Sequence, residues 1–176
     1  YPGMRRIGGA VEERDNVVRI QLHPARAVKG TIVVKLPYGS SVELKTMAGG
    51  PLVVEDVRGP VEAEHMAGDI RIQGAVGTVA ATTLSGSVTV DLARLEGPLN
   101  LATMSGGVRL SLPRDAKASF RAHVMSRSRF TCELPLQEQG RDEDHPGPTV
   151  VRGTLNGGGT QVTLRAVSGK VQLVKR

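Results

Sequence analysis

Three short phrases of the sequence place a serine directly before a glycine, between runs in which apolar residues alternate. They read TTLSGSVTV (82–90), ATMSGGVRL (102–110) and RAVSGKVQL (165–173), and EHMAGDIRI (64–72) is a looser copy with alanine in place of serine. A serine held in a sharp turn is how some hydrolases present a nucleophile. The repeated Ser-Gly therefore allows two interpretations, a nucleophile or a corner that the chain turns several times.

The spacing of the glycines favours the corner. Aligned on these phrases, Gly49, Gly68, Gly86 and Gly106 lie 19, 18 and 20 residues apart. A second set lies between them: Gly59, Gly77 and Gly97. The residue before the glycine is alanine at 48 and 67 and serine at 85, so no hydroxyl chemistry is required there. The glycine supplies a backbone conformation with positive φ that a side chain resists.

The elements that hold these corners are short strands. Apolar residues alternate on both sides of each glycine, and a period of two is typical of strands. Strands this regular predict an all-β fold, a β-solenoid with about 19 residues per coil, in which equivalent residues of successive coils stack. One apolar column is predicted to be buried, so that Leu84→Ala would cost about 2–5 kcal/mol. Its members are Met47, Met66, Leu84, Met104, Met125 and Val167.

The repeat predicts several distinct segments of the chain but only one domain. A single β-solenoid domain is predicted for residues 1–176, with regular repeats over 42–117. The polar segment 137–149, rich in Gly and Pro, predicts a surface loop, and 151–174 predicts a coil that closes the stack. Arg127 replaces the corner glycine in a degenerate coil before that loop.

Residues that could bind a metal do not share a ligand spacing. The four histidines are His23, His65, His123 and His145, and they lie far apart in the sequence. The stretch 142–145, Asp-Glu-Asp-His, offers four ligand types, but we interpret it as a solvated loop. His65 is predicted to be exposed, because it shares a column with threonines.

Three further candidates also have structural interpretations. Residues 38–42, YGSSV, lack the glycine spacing of a nucleophile elbow. Residues 156–160, NGGGT, are not followed by the Gly-Lys-Ser/Thr of a phosphate-binding loop and predict a tight turn. Cys132 alternates with apolar neighbours and is expected to be a small buried hydrophobe. We therefore predict no catalytic, cofactor-binding or metal-binding residues.

Composition limits the partners. The net charge of +6 suits anionic partners, whereas two Tyr, two Phe and no Trp offer few platforms for stacking nucleic-acid bases. No apolar run of about 18 residues predicts a transmembrane segment, and no signal-peptide pattern is present. Because the chain begins at Tyr1, we expect an exported form from which a leader or anchor has been removed.

Several phrases together resemble a bacterial β-strand-repeat family of unknown function, labelled as adhesins and related to the head domain of autotransporter adhesins. The phrases are IVVKLPYGSSVELKTMAG (32–49), the two repeats TTLSGSVTV and ATMSGGVRLSLP, and FTCELPL with RGTLNGGGTQVTLRAVSGKVQLVK. The resemblance implies a right-handed, single-chain β-helix outside the cytoplasmic membrane, in the periplasm or on the cell surface, with a link to envelope stress. It implies no catalytic residues.

Three classes of function remain open. The favoured one is a noncatalytic envelope or adhesin-like module that contacts an anionic envelope polymer or another protein, with self-association through the open solenoid ends as a further prediction. The alternative is a polysaccharide-active β-helix enzyme, which needs clustered acids, whereas the outward Arg71, Thr89 and Arg109 mix cations with a neutral residue. A nucleic-acid binder, suggested by charge alone, is disfavoured.

Overall fold

The computed structural model describes residues 9–14, 17–22, 37, 39–47, 49–125, 130–141 and 149–176, and within them it contains strands, turns and loops but no helix. None of these residues therefore lies in a helix that could cross a membrane. The predicted all-β solenoid is confirmed. The strands are β1 (Gly9–Arg14), β2 (Val17–Leu22), β3 (Ser41–Thr46), β4 (Leu52–Glu55), β5 (Val61–Ala67), β6 (Ile70–Ala75), β7 (Val79–Ser85), β8 (Val88–Leu92), β9 (Leu99–Ser105), β10 (Val108–Leu112), β11 (Ala118–Val124), β12 (Phe130–Cys132), β13 (Gln137–Arg141), β14 (Thr149–Leu155), β15 (Thr160–Ala166) and β16 (Val171–Lys175).

The strands form two sheets. Sheet A has the order β1-β2-β3-β5-β7-β9-β15-β11-β14-β13, and sheet B has the order β12-β16-β10-β8-β6-β4. Each regular coil gives one strand to each sheet, and strands of neighbouring coils pair in parallel. Val42 pairs with Val61, Val61 with Val79, and Val79 with Leu99, so equivalent residues stack as predicted.

The core lies between the two sheets and is built from small aliphatic side chains. In β5 the buried residues are Val61, Ala63 and His65, and in β6 they include Ile70 and Ile72. Alternation sends the residues between them to solvent. Each coil repeats this pattern, so the core is a stack of similar layers. Among the described residues, Phe120 is the one buried aromatic side chain, at 5% exposure, and half-buried Phe130 packs against the core.

The corner glycines carry out the role predicted for them. Gly86 and Gly106 have φ of 154° and 152°, a region that side chains rarely adopt. A Cβ on Gly86 would meet the carbonyl oxygen of Gly68, and one on Gly106 would meet that of Gly86. The corners of successive coils are therefore stacked backbone to backbone, with no room for a side chain between them.

The segment predicted to close the stack, 151–174, does so only in part, because residues 151–155 belong to β14 near the outer edge of sheet A whereas the two strands that follow lie inside the stack. β15 lies between β9 and β11, and β16 lies between β10 and β12, all in parallel. β14 instead pairs antiparallel with the other edge of β11, and β13 pairs with β14. Because β14 occupies that outer edge, the final coil finds its two parallel neighbours inside the stack.

The loop predicted for 137–149 is also partly wrong. Residues 137–141 form strand β13, with a bulge between Glu138 and Gly140. The edge of β14 supplies the backbone partners that draw this polar segment into the sheet. Residues 142–148 and Arg127 lie outside the described residues.

Candidate functional site

The repeated serines of the regular coils lie at the corners, where the sheet A strands end. Ser85 and Ser105 are exposed and lie side by side at the ends of β7 and β9. Their backbone carbonyls accept hydrogen bonds from the nitrogens of Gly68 (2.8 Å) and Gly86 (2.9 Å). The serine positions thus hold the corners of adjacent coils together through the backbone, which any residue type can supply.

His65 is buried, with 2% exposure, and this overturns the prediction that it is exposed. Its Nε2 lies 3.1 Å from the carbonyl oxygen of Gly50. Thr83 and Thr103 repeat the contact, because their hydroxyls donate to the carbonyl oxygens of Gly68 (3.0 Å) and Gly86 (2.8 Å). This inward polar column links each coil to the corner of the preceding one, a role that sequence reasoning missed.

The apolar column predicted to be buried lies instead on the outer face of sheet A, so that prediction is wrong. We call this row of six side chains the ladder, and each member is between 45% and 61% exposed. In spatial order across the sheet the ladder is Met47, Met66, Leu84, Met104, Val167 and Met125. Strand alternation explains the reversal: Val79, Ala81 and Thr83 point inward, so Leu84 must point outward.

A cluster of arginines lies beside one end of the ladder. Arg121 and Arg152 are direct cross-strand neighbours on β11 and β14, and Arg165 is on β15 next to His123. All three arginines are exposed. We call them the basic end of the outer face. The insertion of β15 creates this cluster, because it brings Arg165 beside β11.

His123 is the half-buried member of this region. Burial, followed by the positive charges of Arg165, Arg121 and Arg152, lowers the pKa of the His123 side chain. Its buried Nε2 has no hydrogen-bond partner. The ring also helps line a shallow depression of about 310 Å³, whose other walls are Met125, Arg165, Ala166 and Val167. The depression therefore combines cationic and apolar walls.

The opposite end of the same face is acidic. Glu43 on β3 pairs in register with Glu62 on β5, and Glu64 lies two residues further along. We call these three residues the acidic end. Lys45 lies among them, with its Nζ 3.4 Å from carboxylate oxygens of both Glu43 and Glu64, and these carboxylates raise its pKa, Glu64 most.

The outer face of sheet B has a different character. Arg71, Thr89 and Arg109 stack in register as the solenoid predicts. Arg71 lies 3.9 Å from a carboxylate oxygen of Asp69, which spreads charge of both signs over this surface. The arrangement forms neither an acid cluster nor a concentration of cations.

The remaining candidates have local structural roles or cannot be placed. Asn156 adopts φ of 51° in a turn and donates to the carbonyl oxygens of Arg114 and Ala116. The thiol of half-buried Cys132 lies 3.4 Å from the carbonyl oxygen of Leu134. In the 38–42 segment, Ser40 is buried before β3.

The histidines at 23 and 145 and the acids at 142–144 lie outside the described residues. Among the residues that the structure does describe, no three His, Cys, Asp or Glu side chains group together closely enough to hold a metal ion. The prediction of no catalytic, cofactor or metal site stays a prediction.

Comparison with known proteins identifies the repeat. No curated protein and no solved structure gave a significant match. A family model described as Toastrack DUF4097 matches residues 61–174, which span β5 to β16. The match confirms the predicted kinship with a β-repeat family of unknown function, whereas the relation to adhesins stays a prediction. Since the matched residues make up more than half of the sequence, the chain belongs to the Toastrack DUF4097 family.

Proposed function

We propose that this protein is a noncatalytic, adhesin-like module of the bacterial cell envelope that contacts an anionic envelope polymer, or an acidic protein surface, through the basic end of sheet A. The proposal places it in the periplasm or at the cell surface and links it to envelope stress. The resemblance of its repeats to envelope proteins supports this placement. The arginine cluster is the observation on which the proposed contact rests.

The cluster has the chemistry of an anion-binding surface. Arg121 and Arg152 lie directly opposite each other across β11 and β14, so two guanidinium groups lie side by side on the exposed face. An anionic group beside this pair would accept hydrogen bonds from both guanidinium groups. Arg165 extends the cationic surface to the next strand, which suits a polymer with repeated charges better than a single small anion.

The stack has the form of a binding module. Its outward side chains repeat at the strand spacing of about 4.8 Å, so a polymer lying across the strands would meet regularly spaced groups. In the part of the chain that the structure describes, the outer face of sheet B carries no acid cluster that would favour the alternative, a polysaccharide-active enzyme, and at the acidic end of sheet A two of the three glutamates form ion pairs with Lys45. Membership of the Toastrack family is compatible with a noncatalytic role, since that family has no assigned enzymatic activity.

Binding to an anionic polymer at two salt concentrations tests this function. A polyuronate or polyphosphate should bind at low salt and weaken strongly at 0.15 M, where the screening length is only about 8 Å, whereas neutral dextran should not bind. Replacing the cluster with Arg121→Gln and Arg165→Gln should remove most of the binding. The matched control is Arg71→Gln with Arg109→Gln, which removes equal charge from sheet B.

Two outcomes would contradict the proposal. Equal binding to charged and neutral polymers would show that electrostatics do not govern the contact. An equal loss in the sheet B variant would show that net charge matters and that the arginine cluster is no site. The proposed location is tested separately by fractionating cells that express the native protein, and a purely cytoplasmic signal would contradict it.

A further inference from the structure

The outer face of sheet A carries a pattern that anion binding does not explain. The ladder crosses six neighbouring strands, β3, β5, β7, β9, β15 and β11, with its apolar side chains in solvent. The acidic end occupies β3 and β5, and the basic end occupies β15, β11 and β14. One face therefore has charges of opposite sign at its two ends, joined by a continuous apolar row.

The side chains in the middle of this face are uncharged and short. β7 contributes Ala80 and Thr82 beside the ladder, and β9 contributes Asn100 and Ala102. These side chains are small, and none carries a charge. Another flat surface could therefore approach the centre closely, while the long side chains at the two ends could reach across to it.

We propose that two copies of this chain pair face to face through the outer face of sheet A, related by a two-fold axis that runs parallel to the strands. Such a rotation reverses the order of the strands but keeps each column opposite itself. The interface is isologous, because both copies use the same surface. The acidic end of each copy then lies on the basic end of the other.

The register of the sheet specifies the pairs. With the axis between β7 and β9, β5 faces β15 of the second copy, so Glu64 meets Arg165. By the same rotation β3 faces β11, and Glu43 meets Arg121. The ladder lies on the ladder, with Leu84 against Met104 at the centre. One operation thus pairs Glu64 with Arg165, Glu43 with Arg121 and the ladder with itself.

Two further features fit this arrangement. Lys45 would face His123 of the second copy, and burial, followed by the nearby arginines, lowers the pKa of His123 and so favours its neutral form. The six-strand face offers on the order of 600 Å² per copy from the spacings of strands and residues. Two copies would bury roughly 1,200 Å² in total, the lower limit for a specific complex, so the dimer is expected to be reversible.

Charge reversal on single residues tests the proposal. In polymer-free buffer, sedimentation of the wild-type chain should show a concentration-dependent monomer–dimer equilibrium. Glu64→Arg and Arg165→Glu should each weaken dimerisation at least tenfold, because each places like charges opposite each other twice. An equimolar mixture of the two variants should restore association, since residues 64 and 165 then face each other with opposite charges at both places in the mixed dimer.

Matched controls separate this interface from general charge effects. Glu55→Arg and Arg109→Glu make the same charge changes on the outer face of sheet B and should leave dimerisation unchanged. Leu84→Asp with Met104→Asp should abolish it. A wild-type chain that stays monomeric at high concentration, a mixture that does not associate, or equal losses in the sheet B variants would each overturn the proposal.

The dimer and the anion site can fail independently. Glu64→Arg should remove self-association while leaving the basic end intact, so that this variant still binds an anionic polymer. If it dimerises normally but the arginine variants lose polymer binding, the proposed function survives and the dimer does not. If polymer binding is absent and the charge-reversed mixture still associates, only the proposed function fails.

Discussion

Single polar side chains join three of the regular coils to the corners that precede them. Thr103 is buried, with 3% exposure, and its hydroxyl donates to the carbonyl oxygen of Gly86. Thr83 does the same for Gly68, and His65 contacts Gly50. A buried carbonyl without a partner is costly, so the threonine both fills its layer and satisfies the corner.

Thr103→Val should destabilise the protein more than Leu84→Ala does. Valine keeps the shape of threonine but leaves the carbonyl of Gly86 without its side-chain donor, a loss of about 1–3 kcal/mol in the free energy of unfolding. Leu84 is 45% exposed, so its truncation in the monomer should cost less than about 1 kcal/mol. Urea unfolding of dilute protein measures both, and the opposite ranking would mean that the two faces of β7 and β9 are misassigned.

Strand alternation in the sequence predicts which of these side chains face the core, but the residue types suggest the opposite orientation. Every second residue after the inward-facing Val79 is also inward, which gives Ala81 and Thr83, so Leu84 must lie on the outer face. Large apolar side chains are usually buried, so residue type alone predicts methionine and leucine, rather than threonine and histidine, on the core face. At a corner, where a carbonyl must be satisfied, the hydrogen bond decides the inward residue.

At the scale of the element, the corner between strands is the most constrained part of each coil. Gly86 connects β7 to β8 with a positive φ, and the carbonyl of Gly68 occupies the place of a side chain. To make room for a side chain on Gly86, the backbone of the neighbouring coil would have to move, and that backbone is itself held by the next coil. The corner is therefore less tolerant of change than the strands that it joins.

Gly86→Ala should lower the free energy of unfolding by more than about 2 kcal/mol, because alanine meets both an unfavourable φ and a backbone atom. Gly50→Ala is the matched control. No atom lies within 4 Å of a Cβ placed on Gly50, and its φ is outside the region that side chains avoid. This control should change stability by no more than about 1 kcal/mol in either direction. Equal effects of the two substitutions in thermal unfolding would contradict the stacked-corner geometry.

The sequence predicts the strands and the corners, but it does not predict that β15 lies between β9 and β11. Alternation and glycine spacing identify β5 to β10 because each is a local property. The phrase at 165–173 matches the repeats at 82–90 and 102–110 equally well, so it predicts a coil without saying which coils lie beside it. The arginine cluster was missed for the same reason, since Arg165 reaches Arg121 only through the insertion of β15.

At the scale of the whole molecule, the insertion makes the stack more cooperative than a simple solenoid. In a linear repeat array each coil contacts only its sequence neighbours, so a terminal coil can be lost while the remainder stays folded. Here β15 and β16 supply the contacts between the regular repeats and the β11–β14 part of the chain. Their loss would open sheet A between β9 and β11 and would separate β12 from the rest of sheet B.

Deletion of residues 156–176 should therefore abolish the single cooperative unfolding transition. Deletion of residues 1–22, a segment of similar length, removes β1 and β2 from one edge of sheet A and should leave a cooperative, somewhat weaker transition. Circular dichroism during urea titration measures both. A sharp transition near the wild-type midpoint in the chain lacking 156–176 would show that β9 and β11 can pair without the inserted coil.

The same insertion sets an order of events during synthesis. β11 and β12 leave the ribosome before β15 and β16, at a time when the edges of β9 and β10 that later receive β15 and β16 are still free. Pairing directly with these would continue a plain solenoid and fill the place that β15 must later take. The final coil then closes pairings between residues 63 and 42 positions apart, which are slow because long loops must close first. A nascent chain that pauses between β12 and β15 is thus expected to form this incorrect but well-paired sheet. The sheet must then reopen before β15 can insert.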